Sequence, residues 1–193
     1  MGKIYYVMGK SSSGKDTIFK ALKEKCPDYK PIVLYTTRPI RAGEADGVEY
    51  HFSDEKRLLE LETAGKVIEL RAYHTKHGVW KYFTVDDGQV DLECNCYLVI
   101  GTLESYRKMR EYYGKDALVP IYIEVEDGRR LSRALSRERE QAEPKYAEMC
   151  RRFLADTQDF SEENISAAGI EKRFQNVDFA RCLEEIMVYL DVK

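Results

Sequence analysis

Histidine, tryptophan and proline are scarce in this chain, with three, one and five copies among 193 residues, and the scarcity narrows what the protein can do. His74 and His77 lie three apart without an acidic residue at ligand spacing, so no metal centre is built on histidine. Cysteine offers no framework either. Cys26, Cys94, Cys96, Cys150 and Cys182 are odd in number and scattered, and no C-x-x-C pair occurs. That excludes a zinc knuckle or a redox couple and reads as free thiols in a reducing cytosol. No Ser/His/Asp or Cys/His combination stands out as nucleophile and base. Positive charge is not in excess: 31 Lys and Arg face 34 Asp and Glu, a net charge of −3. Broad binding to a phosphate backbone is thereby excluded, and no nucleic acid is expected as a partner. No apolar run approaches the ~20 residues that cross a bilayer, and the N-terminus runs straight into strand-like sequence. The expectation is a cytoplasmic protein with no membrane partner, whose functional positive charge is concentrated locally.

What is present is an alternation of short apolar runs and amphipathic segments. Residues 3–8 read as a strand buried on both faces, and residues 31–35, 97–101 and 118–125 as further strands. Helical spacing follows from Asp16 to just before Pro27, and again over 103–113 and 179–190, with a last short strand at 173–176. A basic helical stretch covers 129–160, interrupted near 141–144. Strands alternating with helices predict an α/β fold around a parallel sheet. Residues 36–90 differ: they are rich in charge, Gly and Tyr, with strand-like pieces at 48–52 and 80–85 around a helix near 55–64. They read as a sub-domain inserted into a core formed by 1–35 and 91–193, with a lid over about 137–150.

Gly9-Lys-Ser-Ser-Ser-Gly14-Lys15 fits G-x-x-x-x-G-K between a strand and a helix, the context in which that loop binds nucleotide phosphates. Its backbone N–H groups turn inward around a phosphate, and the following helix adds its positive end. Gly9 and Gly14 allow close approach, and Lys15 bridges the β- and γ-phosphates of ATP. The expected ATP-binding residues are Gly9, Ser11, Ser12, Ser13, Gly14, Lys15, Asp16 and Thr17. Asp16 stands where Ser or Thr is usual and Thr17 comes one later, so these two are the candidates for contact with Mg²⁺.

A second anion-binding group lies in Thr36-Thr-Arg38-Pro-Ile-Arg41-Ala-Gly43-Glu44-Ala-Asp46-Gly47-Val-Glu-Tyr50-His-Phe52, where two arginine forks and a phenol suit a second phosphate. This run, with the phosphate loop, resembles the guanylate kinase family, whose acceptor region reads T-T-R-x-x-R-x-G-E-x-x-G-x-x-Y-x-F. The resemblance implies a P-loop NTPase-type parallel sheet flanked by helices, with an inserted acceptor-binding sub-domain and a helical lid. It implies that Arg38, Arg41 and Tyr50 hold the phosphate of GMP and that Glu69 accepts hydrogen bonds from guanine. Three places depart from the family pattern. Leu34 stands for a serine that contacts the base, and Leu98-Val-Ile-Gly101 replaces an L-D-x-D strand end. Residues 74–84 replace a short Y-G-[ST] turn, with Tyr82 as the stand-in for its phenol.

Arg129, Arg130, Arg133, Arg137 and Arg139 crowd eleven residues, and Arg130, Arg133 and Arg137 share one helix face. Like charges so placed imply an anion between them. By the resemblance, Arg137, Arg139 and Arg152 are the lid arginines that, with Lys15, stabilise the migrating phosphoryl group. The function expected is Mg²⁺-dependent transfer of a phosphoryl group from ATP to GMP by a monomer or homodimer. A kinase of the same architecture acting on another phosphorylated acceptor, and a non-catalytic binding module of this fold, are the alternatives.

Overall fold

The sequence begins by committing apolar side chains to both faces of one strand. In the computed structural model, which describes residues 2–75 and 78–190, Ile4–Met8 forms β1 at the centre of a sheet. Ile4, Tyr6 and Met8 enter one hydrophobic cluster and Val7 the other. A strand covered on both sides has no polar face to alternate with, hence its continuous apolar run. The chain then passes through the Gly/Ser loop into α1 (Lys15–Lys25), β2 (Lys30–Pro31) and β3 (Tyr35–Thr36). There follow β4 (His51–Phe52), α2 (Glu55–Thr63), β5 (Val67–Thr75), β6 (Gly78–Val85), β7 (Tyr97–Ile100), α3 (Leu103–Tyr113) and β8 (Leu118–Glu124). The C-terminal part holds α4 (Asp127–Arg139), α5 (Tyr146–Asp159), α6 (Glu162–Ala167), β9 (Arg173–Gln175) and α7 (Phe179–Tyr189).

Strands β2, β7, β1, β8 and β9 form a parallel sheet in that order. Buried residues of α3 and α6 pack on one face, and those of α1 and α7 on the other. The order puts β1 between β7 and β8, so the loop after β1 opens at the carboxyl edge, where α/β sheets bind ligands. The second sheet, in the order β4-β3-β6-β5, has antiparallel β3·β6 and β5·β6 pairs. Its apolar face, with Phe83 and Leu70, packs against Leu58 and Leu61 of α2. Cross-strand partners share a face, so the opposite surface carries Glu69 beside Thr84, Arg71 beside Tyr82, and Tyr73 beside Trp80.

One expected strand is divided. Residues 31–35 read as a single run, but Ile32 donates to Leu98 of the first sheet while Val33 exchanges hydrogen bonds with the Gln89 side chain. By Tyr35 the chain has joined the second sheet. Of residues 48–52 only His51–Phe52 is strand. Helix α6 was not anticipated; its start is fixed by Ser161, whose hydroxyl accepts from the Asn164 N–H. His74 is exposed on β5, and its expected companion His77 lies outside the described residues. Among the described residues no helix is long and apolar enough to cross a membrane.

Candidate active site

The loop after β1 is built for close approach. A Cβ on Gly9 would stand 2.4 Å from the Ile123 carbonyl oxygen. Gly14 has φ +85°, and a Cβ there would meet Asn176 Nδ2 at 2.4 Å. Asn176 is itself buried and donates to the Ser13 carbonyl at 2.8 Å, fixing the loop from the start of the α7 connection. Ser12 is held at φ 62°, an uncommon conformation for a residue with a Cβ. The hydroxyl oxygens of Ser12 and Ser13 are buried without a hydrogen-bond partner among the described residues. Strain and unsatisfied donors gathered in one loop suit an anion-binding site.

Two side chains secure Ser11. Its N–H donates to Asp156 Oδ2 of α5 at 2.7 Å, and its carbonyl accepts from Arg130 Nη1 of α4 at 2.9 Å. Arg130 is almost wholly buried, donates to Asp127 through Nε and Nη2 at 3.0 and 2.8 Å, and stacks on Phe153 at 4.7 Å. The helical spacing groups Arg130 with Arg133 and Arg137 as one anion-facing set. The structure divides them: Arg130 is turned inward as a structural fork, while Arg133 and Arg137 face the loop.

An open cleft of about 490 Å³ is lined by Ser12, Gly14, Asp16 and Thr17 on one side and by Arg133, Arg137, Asn176, Val177 and Phe179 on the other. Lys15 Nζ lies 3.4 Å from the exposed Asp16 carboxylate. A smaller cleft of about 310 Å³ borders Lys10, but Glu124, Glu126 and Asp127 give it an acidic wall that would repel a polyphosphate. Arg139 is exposed on α4 and does not line the larger cleft. Arg152 is on α5, its side chain 57% exposed and paired with Glu148 at 2.8 Å. Arg151 and Arg152 together hold the Glu148 carboxyl down at about 2. Neither Arg139 nor Arg152 is brought to the phosphate loop in this conformation.

In the inserted segment the structure gathers Arg38, Tyr50 and Tyr82. The Arg38 guanidinium lies 5.1 Å over the Tyr50 ring and 5.3 Å over Phe52, and Tyr50 meets Tyr82 edge-on at 5.5 Å. Arg38 donates to both oxygens of Glu44 at 2.7 and 2.6 Å and to the Pro39 carbonyl at 2.9 Å, with the Tyr82 phenol a further hydrogen-bond partner. That fork holds the Glu44 carboxyl at about 2, with a further hydrogen bond from the Arg41 N–H. The Arg41 side chain is exposed, 5.9 Å over the Trp80 ring. Glu69 is buried and already engaged: Arg71 donates to it through Nε and Nη2 at 2.9 and 3.1 Å, and Thr84 Oγ1 at 2.8 Å.

Sequence reasoning passed over Arg71, Asp156 and Asn176. An Asn closing a predicted strand shortly before a helix was the available signal for the last. The other two become visible only once the faces of β5 and α5 are known.

A family model described as guanylate kinase matches residues 1–162. Among curated proteins, a guanylate kinase of Vibrio vulnificus is 38% identical over 93 residues, 45% of each chain. One of Mycobacterium bovis is 38% identical over 74 residues, covering 38% of this chain and 36% of that one. The matched stretch is thus less than half the length of these relatives. Among solved structures, a guanylate kinase from Anaplasma phagocytophilum superposes with a TM-score of 0.64 over 98% of this chain and 85% of its own. At 23% identity that likeness speaks for the fold alone.

Proposed function

We propose, from the premise that this chain belongs to the guanylate kinase family, that it transfers the γ-phosphoryl group of ATP to GMP, giving ADP and GDP. The observation that carries the reading is the phosphate loop, whose buried Ser12 and Ser13 hydroxyls have no partner among the described residues, facing Arg133 and Arg137 across an open cleft. In this reading Gly9, Ser11, Ser12, Ser13, Gly14, Lys15, Asp16 and Thr17 hold ATP. Arg38, Arg41, Tyr50 and Tyr82 hold the acceptor's phosphate, with Glu69 at the end where the base lies. Residues 36–90 form the acceptor-binding sub-domain, and a lid over about 137–150 brings Arg137, Arg139 and Arg152 in to join Lys15. The exposed Arg139 and Arg152 require that closing motion before they reach the reacting group.

Little covalent chemistry is asked of the protein. The attacking oxygen belongs to a phosphate already ionised at neutral pH, so no general base is needed. Alignment, exclusion of water and neutralisation of charge remain, and Lys15 with the arginines supplies the last. Mg²⁺ fits the residues present: the exposed Asp16 carboxylate and Thr17 line the cleft, and Mg²⁺ in such enzymes is held by one or two oxygen ligands together with the nucleotide's phosphates. Bound there, it would neutralise charge on the phosphates. The partners are free nucleotides in the cytoplasm.

The test is ADP formation from ATP and Mg²⁺ against a panel of nucleoside monophosphates and sugar phosphates, with Lys15→Ala as control. Turnover that requires GMP and is lost in Lys15→Ala is expected. Turnover with a sugar phosphate alone, or none although ATP binds, overturns the reading.

A further inference from the structure

The acceptor region contains an ion pair whose arginine the phosphoryl-transfer reading leaves without a task. Glu69 and Arg71 sit two residues apart on β5, on the polar face of the second sheet, and are joined at 2.9 Å. The Glu69 side chain has no exposed surface, whereas Arg71 keeps 7% of its own. Of the pair, Arg71 is therefore the partner that an entering molecule can touch, while Glu69 is sealed and also accepts from Thr84. Arg71 Nη1 also donates to Thr102 Oγ1 at 3.1 Å. Thr102 caps α3 and follows Gly101, so the guanidinium is held against the end of β7, where the resemblance expects two acids.

Neither acid could be accommodated by a simple exchange. Val99 is wholly buried in the apolar core. A Cβ on Gly101 would stand 2.1 Å from the Tyr6 hydroxyl oxygen, and Tyr6 is itself completely buried. Of the acids the resemblance expects at the base end, only Glu69 is present and it is already taken, so Arg71 presents a donor where a free carboxylate would present an acceptor. Three of the five N–H groups of Arg71 go to Glu69 and Thr102, and the Tyr73 phenol shares the same guanidinium, so a base edge that takes both remaining terminal N–H groups displaces Tyr73.

We propose that Arg71 is the specificity-determining residue of the acceptor pocket, reading the O6/N7 edge of a 6-oxopurine nucleoside monophosphate, with Glu69 its buried orienter. This rests on the phosphoryl-transfer reading above. The planar fork of arginine matches the paired acceptors O6 and N7, the same pairing by which arginine reads guanine in a nucleic acid. Adenine places an amino donor at that position, and two donors then face each other without an acceptor. The 2-amino group of guanine finds no open carboxylate. GMP and IMP, which differ only in that group, become nearly equivalent acceptors.

The test is steady-state kinetics of the full chain with GMP, IMP and AMP at saturating ATP and Mg²⁺, repeated on Arg71→Lys. Lysine keeps a positive charge beside Glu69 but loses the fork. In the unaltered protein kcat/KM for IMP is expected within about threefold of that for GMP, and for AMP about 5- to 150-fold lower, the range one bidentate base contact commands. In Arg71→Lys the GMP-to-AMP ratio is expected to collapse towards one while the KM for ATP stays unchanged. Good turnover of GMP with IMP more than about thirtyfold poorer would overturn the inference and leave the kinase reading standing. So would an unchanged GMP-to-AMP ratio in Arg71→Lys, the result a merely structural arginine gives. Failure of every nucleotide would overturn both. Because the unaltered protein alone decides the IMP comparison, a variant that does not fold leaves the proposal refutable.

Discussion

Replacing Asp156 with Ala should loosen the phosphate loop from a distance of one helix. Asp156 lies on α5 with its side chain 15% exposed, and accepts from the Ser11 N–H at 2.7 Å while lying 3.4 Å from Arg130 Nη1. A hydrogen bond to a charged group contributes about 1.5–3 kcal/mol. Breaking a buried ion pair costs about 3–5 kcal/mol when the remaining charge is left alone. Arg130 is not left alone, because Asp127 keeps two of its hydrogen bonds at 3.0 and 2.8 Å. The total should therefore sit near the hydrogen-bond figure, about 2–3 kcal/mol, or a fall in Tm of about 5–10 °C for a chain of this size. Asp156→Asn keeps an oxygen for Ser11 and loses only charge, so it should cost about half as much. Thermal unfolding of both variants, with a double-mutant cycle against Arg130→Met, reads the coupling. ATP titration should show weaker binding in Asp156→Ala, since Ser11 belongs to the loop. A Tm within about 1 °C of the parent in Asp156→Ala, or no coupling to Arg130, would refute the idea that α4 and α5 hold the loop through this network.

Gly14→Ala forces a Cβ to 2.4 Å from Asn176 Nδ2 at φ +85°, and should abolish ATP binding measured by calorimetry while costing about 1–3 kcal/mol of stability. Glu44 supplies a pH dependence of known sign. Its folded-state value, about 2, lies below its ordinary 4.5, so its contribution to stability is present above pH 4.5 and is lost as pH falls towards 2. Denaturant midpoints at pH 6 and pH 3 should differ less in Glu44→Gln than in the parent, and equal differences would count against the Arg38–Glu44 pair. Glu69→Ala leaves Arg71 buried and unpaired and should cost about 3–5 kcal/mol. Arg152→Ala removes an exposed pair and should cost under about 1 kcal/mol, with its effect on turnover instead. Urea unfolding separates the two, and similar losses would contradict the burial difference between them.

The phosphate loop was legible because its chemistry is local: backbone approach to a phosphate demands Gly9 and Gly14 at a fixed spacing between strand and helix. The parallel sheet was legible because β1, β7 and β8 are covered on both faces and leave continuous apolar runs. What could not be read depends on partners far along the chain. Residues 31–35 look like one strand, and only the Gln89 side chain, which takes the Val33 backbone, shows where the chain leaves one sheet for the other. The spacing of Arg130, Arg133 and Arg137 gives one helix face, but not that Asp156 of another helix and Asp127 draw the first of them inward. The family resemblance singled out Glu69 as a carboxylate expected near the base. That Arg71 pairs with it required knowing that β5 runs extended through both residues, which sets them on one face together.

The central claim is tested most directly by following the label from γ-³²P-ATP in the presence of GMP and Mg²⁺. The account predicts one labelled GDP for each ADP formed, and no product in Lys15→Ala. ADP released with the label in inorganic phosphate, or label carried to another acceptor while GMP stays unchanged, would contradict it.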